Sequence, residues 1–161
     1  ARLRTPRIER IWKEYGENPR RLSRAVKLWR QMIGFNSGGD FFEGVDVQEA
    51  FECDFRPISE DERLTPIMLV VILDLYFRLT PITMVTETPE VQELARLLRI
   101  PAKLVVEILD VYQHCDPYLH RRDVTFSPLL LPCQQIWQRY GNIDTRQLAD
   151  YAEQLKVYFK S

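Results

Sequence analysis

Apolar side chains recur every three or four residues along most of this chain, which is the spacing that places them on one face of an α-helix. Trp12, Trp29 and Trp137 each lie on such an apolar stripe, so we interpret them as core anchors. The pattern predicts an all-α protein of about eight helices. The predicted helices span residues 8–15, 22–33, 47–51, 66–79, 90–98, 102–114, 132–140 and 145–159.

Proline placement supports these helix boundaries. Thr or Ser precedes five of the ten prolines, at residues 5–6, 65–66, 80–81, 88–89 and 127–128. A Thr or Ser cap followed by Pro favours a helix start, because proline lacks only an N–H group that would have no partner in the first turn. We interpret these dipeptides as helix starts, except Thr80-Pro81, which we interpret as a helix exit.

The segments between the helices predict one loop and very little β-structure. Residues 34–46 carry four of the six glycines and are predicted to form a loop. Residues 82–86 and 123–126 are the strand candidates and would form at most a short β-ribbon. We expect one compact helical domain over residues 1–161, comprising basic N-terminal helices (1–34), a Gly-rich acidic loop (35–62) and a helical core (63–161).

One predicted helix is nearly repeated along the chain. The stretch TPIMLVVILDLYF at 65–77 returns as IPAKLVVEILDVY at 100–112, with LVV and IL in both copies. On the outside, the two copies share Asp74 and Asp110, whose negative charge repels phosphate. This near-repeat therefore indicates duplication of a helix that packs in the core, in preference to duplication of a helix that reads DNA.

Residues 91–109, VQELARLLRIPAKLVVEIL, resemble a helix-turn-helix. The resemblance implies two short helices that cross and share a core, with the second helix available to the DNA major groove. It places small or apolar residues where the two helices approach each other closely, around the turn and on the inner face of the second helix. These residues are Ala95, Leu98, Ile100, Val105 and Ile108.

The segment departs from the helix-turn-helix pattern in two respects. Arg99 occupies the turn where glycine is most usual. The outward face of the second helix carries Lys103 but also Glu107 and Asp110, whereas phosphate attraction needs positive charge. DNA reading by this particular helix is therefore disfavoured, although the bihelical fold is favoured.

Charge is unevenly distributed, although the whole chain carries only −1. Residues 1–30 hold ten Arg or Lys against three Glu, whereas residues 31–62 hold nine acids against Arg56. This split indicates either a nucleic-acid face beside an acidic one or two segments that attract each other. Under the first interpretation, the DNA contacts are Arg20, Arg21, Arg24, Lys27 and Arg30, with Lys103, Arg121 and Arg122 as a second set.

The acidic loop offers an alternative surface. Phe41, Phe42 and Glu43 lie in the glycine-rich stretch, where exposed aromatic rings would form an apolar contact for a partner protein. If the rings are instead tucked under the loop, they form a small satellite core. Both interpretations remain open at this point.

No pattern in the sequence indicates an enzyme, a metal site or a cofactor. His114, Cys115, His120 and Cys133 match no common zinc-ligand spacing, and the glycines around Ser37 lack the Lys of a phosphate-binding loop. The three cysteines form no CxxC pair, which fits reduced thiols in the cytoplasm. The longest apolar run is far shorter than a membrane span requires, so no membrane role is expected.

These observations together predict a non-enzymatic DNA-binding protein of transcription regulation. We expect it to act as a homodimer on double-stranded DNA, because paired half-sites are the usual way in which helix-turn-helix units gain affinity. The alternative is a helical protein–protein interaction or assembly module that binds no nucleic acid. The acidic outer face of 102–114 favours the alternative, and the basic N-terminal segment favours DNA.

Overall fold

A computed structural model describes Lys27, Trp29 and residues 54–117, 127–141 and 144–160 of the chain. These residues form five α-helices and one short 3₁₀ helix at Pro81–Thr83, and they include no strand. The prediction of an all-α protein is confirmed at this level. The helices are α1 (Pro66–Arg78), α2 (Pro89–Leu98), α3 (Ala102–Cys115), α4 (Leu130–Tyr140) and α5 (Thr145–Lys160).

The predicted helix boundaries agree with the described ones to within two residues. Thr65 and Thr88 stand in extended backbone immediately before α1 and α2, and Pro is the first helical residue of each. Helix α4 begins at Leu130, two residues earlier than predicted, and Ser127 Oγ accepts a hydrogen bond from the Leu129 N–H at 3.1 Å just before it. The helices predicted at 8–15 and 47–51 lie outside the described residues, as does most of 22–33 and the strand candidate at 123–126.

The strand predicted at residues 82–86 is wrong. The segment starts with the 3₁₀ helix, in which the Thr80 N–H donates to Thr83 Oγ1 at 3.0 Å and the Thr83 hydroxyl donates back to the Thr80 carbonyl at 2.8 Å. This reciprocal capping curls the chain, and Ile82 is left 88% exposed. Met84 is buried whereas Ile82 is not, so these two residues do not share one face as they would in a strand.

Helix α1 lies at the centre of the described fold, in contact with each of the other four α-helices. Every residue from Leu69 to Tyr76 is buried, as expected for a helix that is apolar on all sides. The Tyr112 hydroxyl of α3 donates to the Leu69 carbonyl at 2.7 Å. The prediction that Asp74 lies on the outside is therefore wrong: Asp74 is only 4% exposed, because α1 has no continuous solvent face along these two turns.

Two of the three tryptophans are described, and both are buried. Trp137 packs edge-on against Tyr76, with ring centroids 5.7 Å apart, within an aromatic cluster that also contains Phe77 and Tyr112. Trp29 is fully buried, and its indole N–H donates to Asp54 Oδ2 at 2.8 Å. The interpretation of these two tryptophans as core anchors is confirmed, and Trp12 lies outside the described residues.

Helices α2 and α3 are in contact and are joined by three residues, 99–101. Arg99 adopts the left-handed conformation, with φ 59° and ψ 41°, and so makes the turn that glycine usually makes. The five predicted inward positions, at residues 95, 98, 100, 105 and 108, are each 8% exposed or less. The shared core predicted for this pair of helices is therefore present.

Candidate binding cleft

Helices α1, α2 and α5 surround a cleft of about 570 Å³. Each helix contributes charged side chains three or four residues apart, which is the spacing that places two residues on one face of a helix. Apolar side chains of α1 and α2, with Leu79 just beyond α1, line the remainder. The lining residues are Val71, Asp74, Leu75, Arg78, Leu79, Glu90, Glu93, Leu94, Leu97, Glu153 and Lys156.

Ion pairs link the α1 and α5 sides of the cleft. Arg78 Nη2 lies 3.0 Å from Asp74 Oδ2 within α1 and 4.0 Å from Glu153 Oε1 of α5. Lys156 Nζ lies 3.2 Å from the same oxygen of Glu153. Both cations of the cleft are thus engaged by its own carboxylates.

Asp74 is the buried acid of this group. Burial raises the pKa of its carboxyl group, because removal from water disfavours the charged form, and this effect outweighs the opposing attraction of Arg78 and Lys156. Among the described residues, Arg78 is its ion-pair partner and contacts Oδ2. A carboxylate with a perturbed pKa inside a cleft is a candidate functional group.

Glu90 and Glu93 form the α2 side of the cleft and differ from the acids opposite them. Both are exposed, and within the described part of the chain neither forms an ion pair. With these two residues included, the cleft holds four carboxylates and two cations, a formal charge of −2. Its field therefore favours a positively charged group.

Among the described residues, no Ser, His or Cys side chain lines the cleft. Within the described ranges, no three His, Cys, Asp or Glu residues are grouped so that they could hold a metal ion. The charged and apolar residues of the cleft support reversible binding of a cation that carries an apolar body.

Outside the cleft, burial raises the pKa of the Cys115 thiol to about 11 and raises the pKa of the Cys133 thiol further still.

The structure places two of the residues predicted to contact DNA. Lys27 is exposed on a helical segment, and Lys103 is exposed in the first turn of α3. Glu107 is also exposed on α3, whereas Asp110 is half-buried and has a partner. The other predicted contacts lie outside the described residues, namely Arg20, Arg21, Arg24, Arg30, Arg121, Arg122, Phe41, Phe42 and Glu43.

Sequence reasoning missed the cleft, although one signal for it was present. Asp74 and Arg78 are the acid and the base of the otherwise apolar α1, spaced four residues apart. A single charged pair on a nearly all-apolar helix indicates a polar site at that turn. The contribution of α2 and α5 had no such signal, because their charged residues look like ordinary solvated faces.

No protein-family model matches this chain, and no curated protein or solved structure matches it at a significant level. No helix within the described residues is both long and apolar enough to cross a membrane.

Proposed function

We propose that this chain is a non-enzymatic DNA-binding regulatory protein that acts as a homodimer. The observation that carries the proposal is the pair of helices α2 and α3, joined by a three-residue turn around a closed apolar core. In helix-turn-helix proteins, residues near the start of the second helix contact the DNA. At that position of α3, the exposed residues are Pro101 and Lys103.

The proposal assigns most of the binding energy to the N-terminal basic segment. Lys27 is exposed whereas Trp29, two residues further along the chain, is fully buried. One face of this helical segment is therefore anchored in the core, and a basic residue lies on the other. Such a face attracts the phosphate backbone without reading base sequence. Helix α3 carries Glu107 as well as Lys103. We therefore expect α3 to help orient the protein on the DNA and to contribute little to recognition of the base sequence.

The test is fluorescence anisotropy of labelled random-sequence duplex DNA, titrated with protein across a salt series. We expect log K to fall linearly with log salt, because neutralising each phosphate releases condensed counterions. A triple Arg20→Glu, Arg24→Glu, Lys27→Glu variant should flatten the slope by roughly 1 for each lost contact. Lys103→Glu should flatten it once more.

Arg146→Glu is the charge-matched control for Lys103→Glu, because Arg146 is exposed in the first turn of α5 and outside the two candidate surfaces. It should leave the salt slope unchanged. Absence of binding to duplex DNA at low salt, with a correctly folded protein, would refute the proposal. Equal loss of binding in Arg146→Glu and in Lys103→Glu would show non-specific charge attraction instead.

The second candidate is a helical protein-interaction or assembly module without nucleic-acid binding. The observation that favours it is Glu107, exposed on α3, where a DNA-facing helix would favour a cation. Light scattering of the intact chain, compared with a Phe41→Ser, Phe42→Ser variant, tests it. A wild-type oligomer that this variant dissociates, together with no DNA binding, would support the second candidate over the first.

A further inference from the structure

We propose that the cleft between α1, α2 and α5 binds a small organic cation, a primary amine or guanidinium attached to an apolar body. The inference does not depend on the proposed function, since DNA contacts are assigned to other surfaces. A cleft of about 570 Å³ is large enough for such a molecule, because small-molecule sites typically enclose roughly 300–1,000 Å³. The cleft also has the usual composition of such sites, an apolar lining with a few convergent polar groups.

The apolar body would lie against leucines of α1 and α2. Leu75 and Leu94 are buried in the lining, while Leu97 and Leu79 are only half-buried. A half-buried leucine in a concave surface still has apolar area to cover. Covering apolar area contributes about 25 cal/mol for each Å² removed from water. The hydrocarbon part of a ligand therefore has a surface to occupy.

The charges of the cleft select a cation over an anion. Arg78 is already paired with Asp74, and Lys156 is already paired with Glu153. An anion would therefore meet cations whose charge these carboxylates already offset. A cation finds Glu90 and Glu93, which have no ion-pair partner among the described residues.

Asp74 supplies the second acceptor for a cation. Its side chain is 5% exposed and lines the cleft, and Arg78 Nη2 approaches its Oδ2. A carboxylate has about four lone-pair acceptor sites, so Asp74 can accept a hydrogen bond from a ligand N–H group beside Arg78.

The test is isothermal titration calorimetry of the full chain with three probes that share one apolar body. These are 4-phenylbutylamine, the neutral 4-phenylbutanol and the anionic 4-phenylbutyrate. The amine is protonated at pH 7, as an alkylamine with a pKa of about 10 is expected to be. We expect the amine to bind at least 3-fold more tightly than the alcohol and the carboxylate to bind least.

Two exposed substitutions locate the site without disturbing the core. A Glu90→Gln, Glu93→Gln variant should weaken amine binding about 3- to 10-fold, since exposed ion pairs contribute 0.2–1 kcal/mol each. Its affinity for the alcohol should not change. Glu107→Gln is the control for a change of charge away from the site, because it removes an exposed acid of α3 that does not line the cleft. Thermal unfolding confirms that each variant is folded.

Four outcomes would overturn the inference. The first is no heat of binding for the amine at millimolar concentration. The second is equal affinity for amine and alcohol, which would mean that the acids contribute nothing. The third is an equal loss in the Glu107→Gln control. Binding of a Lys-rich amphipathic peptide in place of the amine would assign the cleft to a protein partner and would also overturn the small-molecule inference.

Discussion

Arg139 and Asp54 form a two-pronged, partly buried ion pair, although they are 85 residues apart in the chain. Arg139 Nη1 lies 3.1 Å from Asp54 Oδ1, and Nη2 lies 2.7 Å from Oδ2. The indole N–H of Trp29 donates to the same carboxylate. Asp54 thus joins α4 to Trp29 and to the segment before α1. Its burial makes the pair sensitive to the loss of either partner.

We expect Arg139→Ala to lower the free energy of unfolding by about 3–5 kcal/mol, because it leaves the buried Asp54 carboxylate without its cation. Asp54→Ala should cost less, because the Arg139 side chain that it leaves unpaired is 27% exposed. The double variant should cost less than the two single changes added together. Urea unfolding of the four proteins of this cycle measures the coupling.

The control for this prediction is another two-pronged pair, at the surface. Arg63 Nε and Nη2 lie 3.1 and 2.8 Å from the two carboxylate oxygens of Asp61, but the Arg63 side chain is 58% exposed. Arg63→Ala should cost far less stability than Arg139→Ala, because exposed ion pairs are screened by solvent and contribute little. Similar losses for Arg63→Ala and Arg139→Ala would contradict the role given to burial.

Arg99→Gly should stabilise the protein. Arg99 has φ 59°, a conformation that strains any residue with a Cβ atom and that glycine adopts freely. After the higher entropy of unfolded glycine is subtracted, we expect a gain of about 0.5–1 kcal/mol. Arg96→Gly, in the last turn of α2, should instead lose about 1 kcal/mol. Chemical unfolding of both variants checks the contrast, and a loss at Arg99 would refute it.

Asp74→Asn should be more stable than the wild type at pH 7, by up to about 1 kcal/mol. The folded pKa of Asp74 is raised above its ordinary value of 3.8, so the folded state binds the proton more tightly than the unfolded state does. Wild-type stability from this group is therefore full below pH 3.8 and is lost as pH rises through the folded pKa. Asparagine cannot ionise, so the variant escapes that loss.

Urea unfolding at several pH values between 4 and 7 measures this difference, which should grow as pH rises. Asp61→Asn is the control of opposite sign, because hydrogen bonding from Arg63 lowers the pKa of Asp61 in the folded state. Relative to the wild type, the Asp61→Asn variant should become slightly less stable as pH rises. The difference should be small because solvent screens this exposed ion pair. A difference between Asp74→Asn and the wild type that is constant with pH would contradict the assignment.

The thiols of Cys115 and Cys133 should react slowly with a disulfide reagent at pH 7.5. The pKa of Cys115 is raised from 9.0 to about 11, which lowers its thiolate fraction about 100-fold. Cys133 is fully buried and should react more slowly still. In a Cys53→Ser variant, which keeps only these two thiols, the absorbance of the chromophore released from the reagent measures their rate of reaction. Fast reaction in the folded protein that denaturant does not accelerate would contradict this prediction.

The bounds of the helices could be read from the sequence because they depend on neighbouring residues. Thr65-Pro66 and Thr88-Pro89 mark helix starts through the geometry of proline and its missing N–H, with no help from the rest of the fold. The same local logic placed Ile100 and Val105 in the core of the α2–α3 pair. At Ile82, by contrast, two threonines three residues apart cap a 3₁₀ turn. The alternation of apolar residues there had predicted a strand, which the structure does not contain at that segment.

The sequence by itself determined where α1 to α5 begin and end and which of their faces are apolar, because helical periodicity and capping act over a few residues. Only the tertiary structure decided what the charged residues do. Asp74 became the buried acid of a cleft because α2 and α5 pack beside α1 at that turn. Asp54 met Arg139 because the fold closes a loop of 85 residues. Such contacts depend on the packing of distant helices, and no local pattern encodes them.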